Sequence, residues 1–277
     1  MAIPHYAVLG HPVSHSLSPR IHAAFGRQCG IPVTYISLDT AATGLPATLA
    51  RFASAGGVGA NITVPDKATA AGLCHALTQR ARKAGVANTL TLRDGRWNGD
   101  NTDGTGLVRD LRERRGIDLH GMRVLLLGAG GAAHGVAPAL LEAGIVELVI
   151  ANRTRGRAYD LMDRLQAPER VRACTLREVD AMGAFDLIVQ ATSAGHEGAL
   201  PAVPDLAPRP DTVCVDLNYG RAALGFMAWA RRHGCGQAFD GLGMLVEQAA
   251  DAFEIWHGVR PQTDPVYAQL RLSAGRG

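Results

Sequence analysis

The sequence predicts an α/β protein of two domains, and three observations lead to that prediction. Strand and helix patterns alternate in the N-terminal third of the chain and alternate again from about residue 103. A glycine-rich turn between a strand and a helix stands in mid-chain, at Gly128. Helical periodicity returns at Gly241 and continues into the tail. We therefore expect an N-terminal α/β domain completed by C-terminal helices, with a second α/β domain inserted between them.

The composition excludes several classes of protein. Of 277 residues, 47% are hydrophobic and 19% charged, and the formal net charge is +3. This balance predicts a globular protein that binds neither nucleic acid nor a membrane surface. The N-terminus shows no signal-peptide pattern, and the five cysteines include no Cys-x-x-Cys pair, so we expect reduced thiols and a cytoplasmic location. The scattered histidines lack metal-ligand spacing, and no metal site is expected.

The first domain begins with a strand, a helix and further alternation. The helix pattern "SPRIHAAFGRQCG" has Ser18 at its expected N-cap, Pro19 in its first turn and Gly30 past its end. The predicted strands are "HYAVLG", "VTYISLD" and "GANITV", with a helix "LPATLARFASAGG" before the last of them. A helix is then expected from about Ala68 to Lys83. Two further strands, "NTLTLR" and "RWNGDN", meet at a hairpin signal, Asp-Gly.

The second domain begins with a linking helix, "TDGTGLVRDLRERRG", whose charges are expected to form a solvated face. The strand candidates that follow are "RVLLLG", "VELVIANRT", "VRACTL", "FDLIVQATS" and "TVCVDLN". The tail has one apolar stripe at helical spacing, interrupted by Gln248. The predicted boundaries are 1–102 plus 238–277 for the first domain and 103–237 for the second.

The glycine-rich turn has the sequence context of a dinucleotide site. It follows an apolar strand, opens a helix, and consists of Gly128, Ala129, Gly130, Gly131 and Ala132. Glycines let the backbone approach a pyrophosphate, and the positive end of the helix dipole stabilises its charge. The alternative is a tight strand-to-helix turn without a ligand.

The following strand indicates which dinucleotide is bound. An NAD site usually offers an acidic residue to the ribose at this point, but the strand ends in Asn152, Arg153 and Thr154, with Arg155 and Arg157 just beyond. Guanidinium groups and a hydroxyl suit a 2′-phosphate, so we expect NADP. The alternative is that the arginines only solvate a helix start.

Several polar residues are candidates for binding a small molecule. Ser16 and Ser18 precede a helix N-terminus, where hydroxyl and N–H groups suit a carboxylate, although they could be only turn and cap residues. Asp103 could be only a turn residue. Gln248 interrupts an apolar stripe and needs a hydrogen-bond partner, which a packed core could also supply.

One lysine is chemically conspicuous. The chain has 26 arginines but only two lysines, Lys67 and Lys83, and Lys67 ends the short run "NITVPDK". A desolvated amine can release a proton, whereas a guanidinium effectively cannot. The alternative is a surface lysine without a role.

Together these stretches resemble the shikimate dehydrogenase family. The resemblance rests on "GHPVSHSLSPRIH", "GANITVPDK", "GVANTL", "GDNTDGTGL", "GAGGAA", "NRT", "ATSAG" and "DGLGMLVEQAADAFEIWHG", in order along nearly the whole chain. It implies a Rossmann NADP-binding domain, a discontinuous substrate domain, and reversible reduction of 3-dehydroshikimate to shikimate in aromatic amino-acid biosynthesis.

The resemblance also implies roles for particular residues. Lys67 would be the general acid–base, oriented by Asp103. The substrate carboxylate would be held by Ser16 and Ser18, helped by Tyr219. The residues implied for the ring hydroxyls are Thr63, Asn88, Asp103 and Gln248. The residues implied near the nicotinamide are Leu217 and Gly241. We expect a small-molecule substrate and a monomer or homodimer.

The sequence departs from the family pattern at five positions, which are Asp66, Gln79, Gln190, His196 and Leu224. Two alternatives therefore stay open: a paralogue that oxidises quinate or an aminoshikimate, and a catalytically weak NADP-binding sensor. The second serine of "SLS" favours shikimate over quinate, because quinate-using relatives commonly have threonine there.

Overall fold

The computed structural model describes residues 5–197 and 208–274, which fall into two compact units. The split unit comprises Met1–Gly106 and Leu245–Gly277, and the central unit comprises Leu107–Met244. Both boundaries lie inside helices, Asp103–Arg109 and Leu242–His257. The expected boundaries, after residues 102 and 237, lie four and seven residues earlier, and the second falls inside the strand Gln237–Phe239.

The split unit is built on a six-stranded mixed sheet. Its strands are β1 (His5–Gly10), β2 (Thr34–Asp39), β3 (Gly57–Ile62), β4 (Ala76–Leu77), β5 (Thr89–Arg93) and β6 (Arg96–Asp100), in the order β2-β1-β3-β5-β6-β4. β1 pairs in parallel with β2 and β3, whereas β5 is antiparallel to both β3 and β6. As a result, β1, β3 and β6 all run in one direction.

The hairpin between β5 and β6 forms at the predicted Asp-Gly pair. Asp94 and Gly95 both have positive φ, 50° and 72°, which the two central positions of a type I′ turn require. The helices of this unit are α1 (Ser18–Cys29), α2 (Gly44–Ser54), α3 (Lys67–Leu73), α4 (Gln79–Ala84), α5 (Asp103–Arg109), α9 (Leu242–His257) and α10 (Asp264–Ala274), and α5 and α9 continue into the central unit.

The single helix expected from Ala68 to Lys83 is wrong. The chain leaves α3 after Leu73, and the backbone N–H groups of His75 and Thr78 donate to the carbonyls of Trp97 and Gly99 in β6. Thr78 then caps α4, because its side chain accepts a hydrogen bond from the Ala81 N–H. Pairing with a neighbouring strand and a new N-cap therefore outweigh helix propensity here.

The cap expected at Ser18 is also wrong. Ser18 is the first residue of α1, and its N-cap is Leu17, which makes no side-chain cap. The Ser18 N–H instead donates to Ser16 Oγ at 3.3 Å. The end of α1 is as predicted, because Gly30 has the left-handed conformation with φ of 67° and closes the last turn.

The central unit is built on a six-stranded parallel sheet. Its strands are β7 (Arg123–Leu127), β8 (Glu147–Asn152), β9 (Val171–Thr175), β10 (Leu187–Gln190), β11 (Val213–Asp216) and β12 (Gln237–Phe239), in the order β12-β11-β10-β7-β8-β9. Its helices include α6 (Gly131–Glu142), α7 (Arg155–Leu165) and α8 (Leu224–Arg232). The strand order reverses between β8 and β10 beside β7, which is the topology of a Rossmann domain.

Both sheets are covered on both faces. In β7, Val124 and Leu126 pack into one buried cluster, while Leu125 and Leu127 pack into another. In β1, residues likewise alternate between two clusters. Strands that are buried on both faces consist of consecutive apolar residues, which explains the pattern "RVLLLG". The predicted fold class, an α/β protein with a split domain and a Rossmann domain, is confirmed.

The linking helix differs from its prediction. α5 ends at Arg109 and continues as a π-helical turn, Asp110–Arg114. Asp110 is buried and its carboxylate pairs with Arg114 at 2.7 Å, so this face is not merely solvated. Across the described ranges, none of the helices is long and apolar enough to span a membrane.

Candidate functional site

In the split unit, polar side chains gather where the parallel strands of the sheet end, which is called its carboxyl edge below. Because β1, β3 and β6 run in the same direction, the loops after them share that edge. Ser16 and Ser18 follow β1, Lys67 follows β3, and Asp103 follows β6. Asn88 stands at the start of the antiparallel strand β5 and so reaches the same edge. Ligands of α/β proteins bind beyond the carboxyl ends of strands, which makes this edge a candidate binding site.

Lys67 and Asp103 form a buried ion pair at this edge. Lys67 Nζ lies 2.6 Å from Asp103 Oδ2, and the two side chains are 11% and 5% exposed. Lys67 is the first residue of α3 and Asp103 the first of α5. An ammonium group has three donors, of which this contact uses one. The pair can therefore offer further N–H donors to an oxygen of a bound molecule.

Asn88 holds the other oxygen of the same carboxylate. Its Nδ2 donates to Asp103 Oδ1 and to Thr102 Oγ1, both at 2.9 Å. The Thr102 N–H donates to Asn88 Oδ1 at 2.8 Å, which fixes the orientation of the amide because a backbone N–H can only donate. The Asp103 carboxylate is therefore held from both sides, by an ammonium and by an amide.

Gln248, on α9, contacts two residues of this network, Asn88 and Thr102. Asn88 Nδ2 lies 3.2 Å from Gln248 Oε1, and the Thr102 hydroxyl lies 3.4 Å from it. Gln248 Nε2 donates to the Leu245 carbonyl at 2.9 Å, so both ends of the amide have partners inside the unit. Thr102 is completely buried, and sequence reasoning missed it although it precedes Asp103 in the quoted motif.

The two serines form a pair in the loop after β1 and at the start of α1. Ser16 Oγ donates to Ser18 Oγ at 3.2 Å and accepts from the Ser18 N–H. Ser18 is 5% exposed, and Ser16 is half-buried. Thr63 follows β3, where its N–H donates to Leu9 and its carbonyl accepts from Asp66. These contacts keep the loops after β1 and β3 in register.

In the central unit, the glycine-rich turn provides a space bounded by backbone. Gly128 follows the strand β7 with φ of 107°, and a Cβ there would lie 3.0 Å from the methyl of Thr192 and 3.2 Å from the Ala191 backbone. A side chain at this position would therefore be both strained and crowded. A Cβ on Gly130 would meet nothing within 4 Å, so the turn is open on its outer side.

The start of α6 fits an anionic group. Gly130 is its N-cap and makes no side-chain hydrogen bond, and Gly131 and Ala132 form its first turn. Ala129 is buried under the turn at 7% exposure. Free N–H groups at the first turn of a twelve-residue helix, without a side chain in front of them, suit a pyrophosphate. The turn therefore has the form that a dinucleotide requires.

The end of β8 carries exposed cations. Arg153, Thr154 and Arg157 are all exposed, and Thr154 is the N-cap of α7 without a side-chain cap. Asn152 Nδ2 donates to the Thr154 carbonyl at 2.9 Å and so shapes this loop. Arg155, between them, is engaged elsewhere, because it donates to the Tyr159 hydroxyl and pairs with Glu178.

Leu217 and Gly241 are brought together at the carboxyl end of β11. The Leu217 N–H donates to the Gln190 carbonyl at 2.9 Å, and the Gly241 N–H donates to the Asn218 carbonyl at 2.8 Å. A Cβ on Gly241 would overlap the Leu217 carbonyl, so only glycine permits this approach. Asn218 Nδ2 donates to the Thr192 carbonyl at 3.0 Å, which links this loop to the one after β10.

Asp216, next to Leu217, is a buried acid. Burial raises its pKa to about 7, hydrogen bonds from Asn218 oppose that rise, and the nearby Asp240 carboxylate adds to it. Tyr219 lies three residues beyond Asp216, in the central unit, whereas the serine pair lies in the split unit. The described residues include no set of three His, Cys, Asp or Glu side chains that could hold a metal ion.

Comparison with known families matches three consecutive parts of the chain. Residues 8–90 match the shikimate dehydrogenase substrate binding domain. Residues 110–202 match shikimate / quinate 5-dehydrogenase, and residues 241–271 match the shikimate 5'-dehydrogenase C-terminal domain.

Individual relatives match nearly the full length. A shikimate dehydrogenase (NADP(+)) of Xanthomonas campestris pv. campestris (strain 8004) is 58% identical over 274 residues, 98% of this chain and 96% of the relative. Among solved structures, an Ael1 enzyme from Pseudomonas putida is 40% identical with a TM-score of 0.85, covering 96% of this chain and 98% of that one. Shikimate 5-dehydrogenase from Thermus thermophilus, in complex with NADP(H) and shikimate, is 35% identical with a TM-score of 0.83, covering 97% and 98%. The chain belongs to the shikimate dehydrogenase family.

Proposed function

We propose that this protein catalyses the reversible NADPH-dependent reduction of 3-dehydroshikimate to shikimate, a step of aromatic amino-acid biosynthesis. The observation that carries the proposal is the buried pair of Lys67 and Asp103 at the carboxyl edge of the split sheet, 2.6 Å apart. A lysine held in this way can move a proton at a substrate oxygen. Membership of the family supplies the substrate class.

Lys67 acts as the general acid–base. A bound NADPH would supply the hydride for the ketone carbon. The ketone oxygen gains negative charge as it becomes a hydroxyl, and Lys67 Nζ donates the proton to it. Asp103 Oδ2 holds the ammonium, while Oδ1 is held by Asn88, so the donor is oriented before the substrate arrives. In the oxidation direction Lys67 removes the same proton.

The remaining polar groups at this edge bind the substrate. Ser16 and Ser18 donate to its carboxylate, and Tyr219 keeps its predicted role toward the same group. The groups proposed for the ring hydroxyls are Thr63, Asn88, Asp103 and Gln248. Charge-assisted hydrogen bonds to a carboxylate are stronger than neutral ones, so the serines contribute mainly to affinity.

The central unit holds NADP. The turn of Gly128, Ala129, Gly130, Gly131 and Ala132 receives the pyrophosphate at the start of α6. The 2′-phosphate is held by four residues, which are Asn152, Arg153, Thr154 and Arg157. Leu217 and Gly241 border the nicotinamide. The exposed guanidinium groups at the start of α7 favour NADP over NAD because NAD lacks the phosphate that they bind.

Three further properties are part of the proposal. The split unit is the substrate domain and the central unit the NADP-binding domain. The protein is a monomer or a homodimer. Its molar mass, measured by light scattering after size-exclusion chromatography, tests this. It acts in the cytoplasm on a small molecule.

The test is a spectrophotometric assay of the purified protein with shikimate or quinate and with NADP or NAD. Formation of reduced nicotinamide should be fastest with shikimate and NADP. A preference for quinate would identify the quinate-oxidising alternative that the matched family also includes. Binding of NADP without turnover of either substrate would contradict the proposal and identify a cofactor-binding sensor.

A further inference from the structure

Two cysteines of the central unit meet at one end of its sheet. Cys214 lies in β11, and Cys235 lies in the loop between α8 and the edge strand β12. Both thiols are free, yet their Sγ atoms are 2.7 Å apart, which is closer than two sulfur atoms in simple van der Waals contact. A disulfide bond joins two sulfur atoms at about 2.05 Å. A small movement of the side chains therefore separates this contact from a bond.

The backbone on both sides of Cys235 holds it against β11. The Cys235 N–H donates to the Ala230 carbonyl and the Gly236 N–H donates to the Thr212 carbonyl, both at 3.1 Å. A Cβ on Gly236 would overlap the Pro210 carbonyl, so only glycine permits this close approach. Both cysteines also belong to the same packed cluster on one face of the sheet. The fold of the central unit therefore brings the two sulfur atoms together.

The two thiols differ in exposure and in how readily they ionise. Cys214 is completely buried, whereas Cys235 is partly exposed. Burial raises the pKa of both thiols, and their mutual contact opposes the rise at Cys235 but adds to it at Cys214. The thiolate is the form that reacts with an oxidant. Cys235 is therefore the thiol that an oxidant meets first, and Cys214 is the partner behind it.

We propose that Cys214 and Cys235 form a reversible disulfide that stabilises the central unit when a hydroperoxide oxidises the protein. With hydrogen peroxide, the Cys235 sulfur attacks one oxygen, so an S–O bond forms, the O–O bond breaks and the sulfur loses two electrons. The other oxygen leaves as hydroxide, which the proton released by Cys235 converts to water.

The second step closes the disulfide. The Cys214 sulfur attacks the Cys235 sulfur, so the S–S bond forms and the S–O bond breaks. The oxygen leaves as water and takes the Cys214 proton. Two thiols and one hydrogen peroxide thus give one disulfide and two water molecules. A dithiol reductant reverses the change by becoming a disulfide itself.

The cross-link acts on a part of the sheet that has little other support. β12 has three residues, lies at the edge of the sheet and pairs with β11. A disulfide would close the chain from residue 214 to residue 235, a loop that contains α8. Closing such a loop restricts the unfolded chain, so the melting temperature should rise by about 5 °C or more on oxidation.

The test counts thiols in the full chain before and after incubation with a slight molar excess of hydrogen peroxide, until the count is constant. The chain has five cysteines, so thiol titration under denaturing conditions should fall from five to three. Trypsin cleaves after Arg221, Arg231 and Arg232, between the two cysteines, so an unreduced digest should contain one cross-linked peptide pair that holds Cys214 and Cys235. Dithiothreitol should restore five thiols and the original melting temperature.

Three variants assign the steps to residues. Cys235→Ser lacks the thiol that is oxidised first, so it should keep its four thiols and melt alike with and without peroxide. Cys174→Ala is the matched control, because Cys174 is buried in the same cluster, and it should still lose two thiols. In Cys214→Ala, Cys235 should stop at the sulfenic acid, which dimedone labels and mass spectrometry detects.

Several results would contradict the proposal. Wild type that keeps all five thiols, or that joins a different pair of cysteines, would show that the contact is only packing. Loss of two thiols from Cys235→Ser would have the same meaning. Cross-linked protein with an unchanged melting temperature would overturn the stabilising role. Absence of shikimate oxidation by wild type would contradict the proposed function alone, because none of these measurements depends on turnover.

Discussion

Lys67 and Asp103 are buried together, and burial is what makes their arrangement informative. A buried ion pair gains little net stability because both groups lose hydration, whereas removing one partner leaves an uncompensated charge. Here Asp103 also receives the Asn88 amide at 2.9 Å, so the carboxylate is oriented as well as neutralised. Such fixed orientation serves proton transfer more than it serves the fold.

Replacing Lys67 by arginine should separate charge from proton transfer. Lys67→Arg keeps a cation beside Asp103 but cannot release a proton near neutral pH, so kcat should fall by about 10²- to 10⁴-fold. Lys83→Arg is the matched control, because Lys83 is the second lysine and is exposed on α4. Steady-state kinetics with shikimate and NADP measure both. Turnover of Lys67→Arg near that of Lys83→Arg would mean that only the charge matters.

The serine pair should act on affinity rather than on rate. Ser16→Ala and Ser18→Ala each remove a donor from the proposed carboxylate site, which should weaken shikimate binding by about 1–3 kcal/mol. Because Ser18 makes no side-chain cap in α1, its replacement should lower the melting temperature little. Calorimetric Kd values and thermal melts check this. A large loss of stability with an unchanged Kd would assign Ser18 to the fold.

Some residues of the site could be predicted from the sequence and some could not. Lys67 was conspicuous because the chain otherwise uses arginine, and Gly128 because a strand and a helix flank it. Thr102 carried no such signal. Its place in the site arises from hydrogen bonds to Asn88, fourteen residues away in the sequence, which a single sequence does not contain.

At the scale of elements, the start of α7 is the proposed determinant of the preference for NADP. Thr154 caps the helix without using its side chain, and Arg153 and Arg157 flank it on the exposed surface. A 2′-phosphate placed there would meet a helix N-terminus and two cations, which together favour it electrostatically. Arg155 lies in the same turn but already contacts Tyr159 and Glu178.

Arg153→Ala should therefore weaken NADP much more than NAD. The preference for NADP over NAD is expected to be a few kcal/mol, shared between Arg153 and Arg157. Added salt should weaken NADP binding more than NAD binding. Arg155→Ala is the matched control and should change the preference less. The measurement is the pair of KM values for NADP and NAD in each variant. Equal losses for both cofactors would show that Arg153 serves the fold and not the phosphate.

Asp216, at the end of β11, should make the free energy of unfolding depend on pH. Asp216 has a pKa raised to about 7 by burial and by Asp240, above its value in an unfolded chain. An acid with a raised pKa contributes stability at low pH, and that contribution is lost as the pH rises through 7.

Asp216→Asn should remove this dependence, because an amide does not ionise and its oxygen can still accept from the Asn218 N–H. From about pH 5 to about pH 8, the free energy of unfolding should shift in favour of the variant by roughly 1 kcal/mol or more. Chemical denaturation at both pH values measures the shift. Parallel profiles for variant and wild type would contradict the role of Asp216.

Element boundaries show where sequence reasoning failed. One helix is expected from about Ala68 to Lys83, but residues 75–78 hydrogen-bond to the neighbouring strand β6 instead. By contrast, the hairpin at Asp94–Gly95 was predictable because its turn needs positive φ at both positions. The hairpin turn therefore follows from local backbone preferences, whereas hydrogen bonds to a strand distant in the sequence interrupt the helix.

At the scale of the whole molecule, the chain divides its proposed tasks between two units. Apart from Tyr219, the proposed substrate groups form a first set in the split unit, and the proposed cofactor groups form a second set in the central unit. A cofactor-binding sensor would need only the second set. The buried Lys67–Asp103 pair in the split unit argues for catalysis, since a sensor has no use for an oriented proton donor.

The most direct test of this account is kcat for shikimate oxidation with NADP in wild type, Lys67→Ala, Asp103→Asn and the double variant. If the two residues act as one unit, each single change should lower kcat by about 10²- to 10⁴-fold, and the double variant should lose far less than the product of the two. Calorimetry should show that shikimate still binds Lys67→Ala with a Kd within a few-fold of wild type. A Lys67→Ala variant with near-normal kcat, or a double variant whose loss equals the full product, would contradict the central claim.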